Sequence, residues 1–165
     1  MRSDRKHPVP NFVDSEGAAL SYDAVIEAFL NKITEFDFMH LPEENREAVV
    51  EGYLKRAASA FRKNCKYDLT ECDDVLREFL PRIKPQDIDE LVEILSEGML
   101  VQWMKQCLYK QELLELTLNT ADFSSYSPAE MLRRVGDAYE RVQKDYVQMI
   151  REYSYNHGNL RELHL

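Results

Sequence analysis

The sequence predicts an all-α fold, a bundle of four to five helices with a long C-terminal helix, an extended N-terminal arm and a C-terminal tail. Three observations predict it. The 165 residues include only 5 Gly and 6 Pro with 31% charged residues, a helix-favouring composition. Apolar residues recur at three- and four-residue steps through most of the chain. The clearest such series, Leu132, Val135, Tyr139, Val142, Tyr146, Met149 and Tyr153, steps 3, 4, 3, 4, 3, 4, which is a heptad seam.

Residues 1–20 read as an arm, because Pro8 and Pro10 forbid a regular helix and Gly17 loosens the residues after it. Phe12 and Val13 are its apolar anchors. Residues 21–157 form the helical domain. Ser21 caps a first helix over about 22–36, whose stripe is Tyr22, Val25, Ile26, Phe29, Leu30, Ile33 and Phe36. Pro42, Glu43 and Glu44 suit the first turn of a second helix running to about residue 64, with Val49, Val50, Tyr53, Leu54, Ala57 and Phe61 on its buried face. Thr70 as N-cap, Asp73 three residues on and Pro81 beyond predict a short helix over 71–80. Pro85 opens the next helix with Ile88, Leu91, Val92 and Leu95 inward, and from Met99 to Leu108 it is apolar over most of its circumference, so it is central or doubly covered. Gly98 either kinks this helix or is tolerated within it.

Residues 119–126 are a polar linker. Ser127 then stands as N-cap, Pro128 at the first helical position and Glu130 where a capping box closes, with Tyr126 and Met131 as a hydrophobic staple. The helix runs to about 154, supported by the pairs Glu130–Arg134, Asp137–Arg141 and Glu140–Lys144, each with the acid first. Gly158 suits its end, and residues 158–165 form a tail carrying Leu160, Leu163 and Leu165.

Net charge is −9, unevenly distributed. Arg2, Arg5 and Lys6 outweigh Asp4 in the arm, charges cancel over 128–165, and residues 14–127 hold 23 acidic against 12 basic residues. A broad nucleic-acid grip is not expected of such a body. The basic window Lys55, Arg56, Arg62, Lys63 and Lys66 is the exception: either a solvated helix end offsetting the dipole or a contact patch for an acidic partner surface or DNA phosphates. No apolar run reaches membrane-span length, and no apolar segment of a signal peptide follows the N-terminal charges. Cys65, Cys72 and Cys107 lack metal or redox spacing and read as free thiols. His7, His40, His157 and His164 are scattered, no Glu-x-x-His pair is present, and neither a nucleophile motif nor a phosphate-cradling glycine loop occurs. The expectation is a protein without catalytic residues, metal or cofactor. Tyr139, Tyr146, Tyr153 and Tyr155 are candidate interface residues, since tyrosine joins an apolar body to a polar tip; the seam tyrosines read equally as core at a helix–helix contact.

The segment Phe123-Ser124-Ser125-Tyr126-Ser127-Pro128-Ala129-Glu130-Met131-Leu132, with Tyr139 and then Ile150-Arg151-Glu152-Tyr153-Ser154-Tyr155, resembles small helical adaptor or neck proteins of the head–tail connector of tailed bacteriophages. The resemblance covers roughly residues 123–157. It implies a non-catalytic virion protein at the head–tail interface, made in the host cytoplasm. It implies a homo-oligomeric ring, commonly dodecameric, that docks on the portal protein and on the next connector or tail component. Acidic residues would then face a channel through which DNA passes without sequence-specific binding. Arm and tail, through Phe12, Val13, Leu160, Leu163 and Leu165, would reach neighbouring copies. The alternative is a cytoplasmic helical regulator that grips one partner helix with the tyrosine seam.

Overall fold

The computed structural model describes residues 17–33, 43–118 and 128–158. In chain order these form β1 (Ala18–Ser21), α1 (Tyr22–Lys32), α2 (Glu43–Phe61), β2 (Cys72–Asp73), β3 (Glu78–Ile83), α3 (Pro85–Leu118) and α4 (Pro128–His157). The fold is dominated by helix but is not all-α, because a small antiparallel sheet of order β1-β3-β2 packs with the helices.

Each helix starts where local chemistry favours it. Ser21 is extended (φ −73°, ψ 142°), and its hydroxyl accepts from the Asp23 amide at 3.1 Å, which caps α1. Pro85 sits at the first position of α3, where its missing N–H costs nothing. Ser127, the expected cap of α4, lies outside the described residues, but Glu130 pairs with Arg134 at 2.8 Å one turn on. Asp137 lies 3.9 Å from Arg133.

The long helix α3, 34 residues or about 51 Å at 1.5 Å per residue, is the central strut. It packs on α1, α2 and α4. Its first half contributes Leu91, Ile94, Leu95, Met99 and Val101 to the core, against Val25 and Phe29 of α1 and Tyr53, Leu54, Ala57 and Phe61 of α2. Gly98 does not interrupt it. A Cβ at residue 98 would lie 2.9 Å from the Ala57 Cβ and 3.0 Å from the Tyr146 hydroxyl oxygen, so the glycine lets α2, α3 and α4 approach at one level. The seam of α4 is the third wall: Tyr146 and Tyr153 are buried, and Tyr139, Val142 and Met149 pack partly against the same core.

Two further expectations are corrected. The short helix over 71–80 is a β-hairpin. The Asp73 carboxylate, expected to cap a helix, instead accepts from the amides of Val75 (2.8 Å) and Leu76 (3.0 Å) and closes a turn. Arg77 then takes a left-handed φ of 56°, which ends the turn and aims β3 back along β2, with Cys72 opposite Phe79 and Asp73 opposite Glu78. Pro81 is accommodated because the β1–β3 register is irregular there, so no regular ladder bond is lost at its nitrogen. Phe79 and Ile83 point inward while Leu80 and Arg82 point out, a period of two.

The second correction concerns the arm. Its last residues, Ala18 to Leu20, are strand β1, and Leu20 is fully buried. Gly17 is not loose: a Cβ there would sit 2.7 Å from the Arg82 carbonyl carbon, so glycine permits the close approach of β1 to β3. Phe12, Val13, Leu160, Leu163 and Leu165 lie outside the described residues. For two seam tyrosines the fold selects the core reading over the interface reading. Tyr146 and Tyr153 pack inside their own chain, because α4 folds back along α3 and needs this stripe to cover it.

Candidate functional site

The densest polar chemistry lies where the end of α2, the start of α3 and the end of α4 converge. Proline at the start of α3 places Asp87 in its first turn, where the helix dipole favours an anion. Asp87 is buried at 2% exposure. Its Oδ2 accepts from the Tyr67 hydroxyl at 2.6 Å and meets the Lys66 ammonium at 2.6 Å. The Tyr67 oxygen in turn accepts from the Lys84 amide at 3.2 Å. One turn along α3, Glu90 Oε2 lies 2.9 Å from His157 Nε2. The other ring nitrogen of His157 is 3.3 Å from Lys66 Nζ. Lysine can only donate, so Nδ1 is the acceptor and Nε2 donates to Glu90. The His157 ring lies 4.3 Å, centroid to centroid, from Tyr153, whose ring meets Phe61 edge-on at 5.0 Å. The Tyr153 hydroxyl is 3.7 Å from Cys65 Sγ.

The electrostatics follow from this arrangement. Burial alone would raise the Asp87 carboxyl, but the Lys66 ammonium and the Tyr67 hydroxyl hold it below the usual carboxylate range. Desolvation would lower Lys66, and its bond to Asp87 instead raises it. Burial pushes up the Cys65 thiol and the Tyr153 phenol. A protonated, buried thiol beside a protonated phenol is a poor nucleophile. Among the described residues no group of three or more His, Cys, Asp or Glu is placed to hold a metal. With its groups engaged with one another, the cluster acts as a clamp: it ties the end of α4 to the start of α3 and to the loop after α2.

The basic window is divided by the fold. Lys66 belongs to the clamp, Lys55 is bound to Asp74 at 2.9 Å, and the Arg56 guanidinium stands over the Tyr53 ring at 5.4 Å. Arg62 and Lys63 remain exposed in the turn after α2. The five cations therefore do not form one free patch. Tyr139 is half-buried on the seam, and Tyr155, at 76% exposure, projects into solvent from the other side of α4.

Two surface features stand out, and of their residues only Tyr155 is among the expected interface residues. The β2–β3 tip carries Val75 at 91% and Leu76 at 66% exposure, with Leu80 also exposed beside it. This tip is held firmly: Asp74 bonds to Lys55 and to the Tyr22 hydroxyl, and Arg77 pairs with Asp23 and Glu51. The outer face of α4 carries Val147 and Tyr155 exposed near Lys144 and Arg151. The 3- and 4-residue steps of 144, 147, 151 and 155 signalled that face; the tip had no signal of its own once 71–80 read as helix. No helix among the described residues is long and apolar enough to cross a membrane. No protein-family model, no curated protein and no solved structure matches the chain.

Proposed function

We propose that this chain is a structural subunit of a tailed-phage head–tail connector, a ring-forming adaptor or neck protein that docks on the portal and continues the DNA channel. The observation that carries the reading is the pair of exposed apolar patches on different elements, the β2–β3 tip and the outer face of α4. A ring subunit needs two unlike surfaces, one for each neighbour. The alternative, a regulator gripping one partner helix with the tyrosine seam, loses much of its surface, since Tyr146 and Tyr153 are covered by the chain's own α2 and α3. The described part of the segment that resembles connector proteins, residues 128–157, forms α4, whose inner stripe builds the body and whose outer face stays available. In this reading the protein performs no catalysis; the polar clamp stiffens the subunit, and acidic residues line the channel. The direct test is quantitative mass spectrometry of purified particles. The expected result is a fixed copy ratio of this chain to the portal, and absence from particles sinks the connector reading.

A further inference from the structure

The two apolar patches complement each other in charge. We propose that the β2–β3 tip of one copy seats on the outer face of α4 of a second copy, in a head-to-tail contact. The proposal deepens the ring-forming reading and rests on it for the closed assembly.

The tip presents two neighbouring aliphatic side chains, Val75 almost wholly exposed and Leu76 about two-thirds exposed. Neither contributes to this chain's own core, and exposed adjacent aliphatics on a fixed turn mark an interaction site. The turn is pre-shaped by the two amide bonds to Asp73 and by the pairing of Arg77, so docking orders little that is not already ordered. Residues 71–78 hold four carboxylates and one arginine. Lys55 pairs with Asp74, and the tip stays net negative, so a fitting partner surface is partly apolar and net positive.

The outer face of α4 is net positive in this sense, since Lys144 and Arg151 outnumber Glu140 among the residues along it. An open groove of about 650 Å³ is lined by Glu140, Gln143, Lys144, Val147, Gln148 and Arg151. Val147 provides an exposed apolar floor, and Tyr155 extends the same face. Lys144 and Arg151 form no ion pair with a described residue, whereas Lys32, Lys55, Lys66 and Arg77 do. Their charges are available to the acidic tip. Tip and groove do not meet within one chain: the hairpin is fastened to α1 and α2, and it is not packed on α4. The contact joins unlike surfaces of two copies, so it repeats from copy to copy and closes into a ring when the rotation allows.

The test is a complementation in solution. A tip variant (Val75→Ser with Leu76→Ser) and a groove variant (Lys144→Glu with Val147→Glu) are compared with the unmodified chain by sedimentation velocity up to high micromolar concentration. The unmodified chain should associate as concentration rises. Each variant alone should be weakened about tenfold or more, since central apolar contacts dominate such interfaces. An equimolar mixture of the two variants should form a one-to-one dimer and nothing larger, because one intact tip and one intact groove remain. All four substituted positions are exposed, so each variant should fold and melt close to the unmodified chain, which its melting curve checks. As a second measurement, a benzophenone photocrosslinker at residue 76 should label the 140–155 stretch of another copy. An unmodified chain that stays monomeric, a groove variant that associates alone, or crosslinks that map elsewhere each overturn the proposal. A dimer from the mixture with no chain in particles upholds the contact and removes the connector reading. Chain in particles with failed complementation does the reverse.

Discussion

The clamp between the ends of α2 and α4 and the start of α3, and the tip of the β2–β3 hairpin, are opposites in chemistry. At the clamp, side chains from three parts of the chain engage one another's polar groups, and the carboxylate at the centre is nearly inaccessible. At the tip, two aliphatic side chains face water although the turn beneath them is tightly bonded. The clamp makes contacts that the fold needs and offers little to a partner. The tip contributes little to the fold and leaves apolar area open to one. Stability and association are therefore separable by substitution, and changes at either region probe that division.

The largest expected effect is at Tyr153, which is fully buried against Phe61 and His157. Tyr153→Ala should cost about 3–5 kcal/mol, the usual range for emptying a buried aromatic site, read by chemical denaturation. A loss near zero would mean that α4 is not seated on the core. Next comes Asp87→Asn. Removing one partner of a buried pair typically costs about 3–5 kcal/mol, but Lys66 keeps 30% of its side chain exposed and regains water, so a loss of about 2–3 kcal/mol is expected.

The same pair sets a pH dependence. Asp87 is lowered in the folded protein, so its contribution is complete above the ordinary aspartate value of about 3.9 and is lost as pH falls through the folded value. Lys66 is raised, so its contribution is complete below about 10.4 and is lost as pH rises through the folded value. Melting temperature plotted against pH should show both shoulders, and Asp87→Asn should weaken both, since the bond to Asp87 is what raises Lys66.

Smaller effects are expected where α2, α3 and α4 come closest. Gly98→Ala gains helix propensity of about 1 kcal/mol but forces a methyl into contacts of 2.9 and 3.0 Å, an overpacking cost of about 1–3 kcal/mol, so a net loss near 1 kcal/mol is expected. Tyr146 adjoins the same point. Its hydroxyl is buried without a partner, and burial pushes its pKa up to about 12. Tyr146→Phe removes that unsatisfied group and should leave stability unchanged or raise it by up to about 1 kcal/mol. A clear destabilisation would reveal a bonded water at the hydroxyl. The smallest change in stability belongs to Val75→Ser, which should stay within about 0.5 kcal/mol because the residue is 91% exposed.

Much of the helical frame is legible in the amino-acid order because its determinants are local. Ser21 and Pro85 start helices through their own backbone chemistry, and the stripes of α2 and α4 repeat at the helical period whatever they later face. The hairpin is not legible in the same way. Phe79 and Ile83 fit both a four-residue helical step and a two-residue strand alternation, and Asp73 suits a helix cap as well as a turn. The choice falls to tertiary structure, since β3 gains Leu20 and β1 on one edge and β2 on the other only if the segment is extended. The clamp is likewise assembled by distance in sequence: Lys66, Asp87 and His157 stand far apart along the chain and meet only when α4 folds back along α3 beside the end of α2. Which faces of α4 are core and which are free is also a tertiary outcome. Periodicity marks a stripe as apolar, but only the folded chain decides that its own core covers Tyr146 and Tyr153 while Val147 and Tyr155 remain in water.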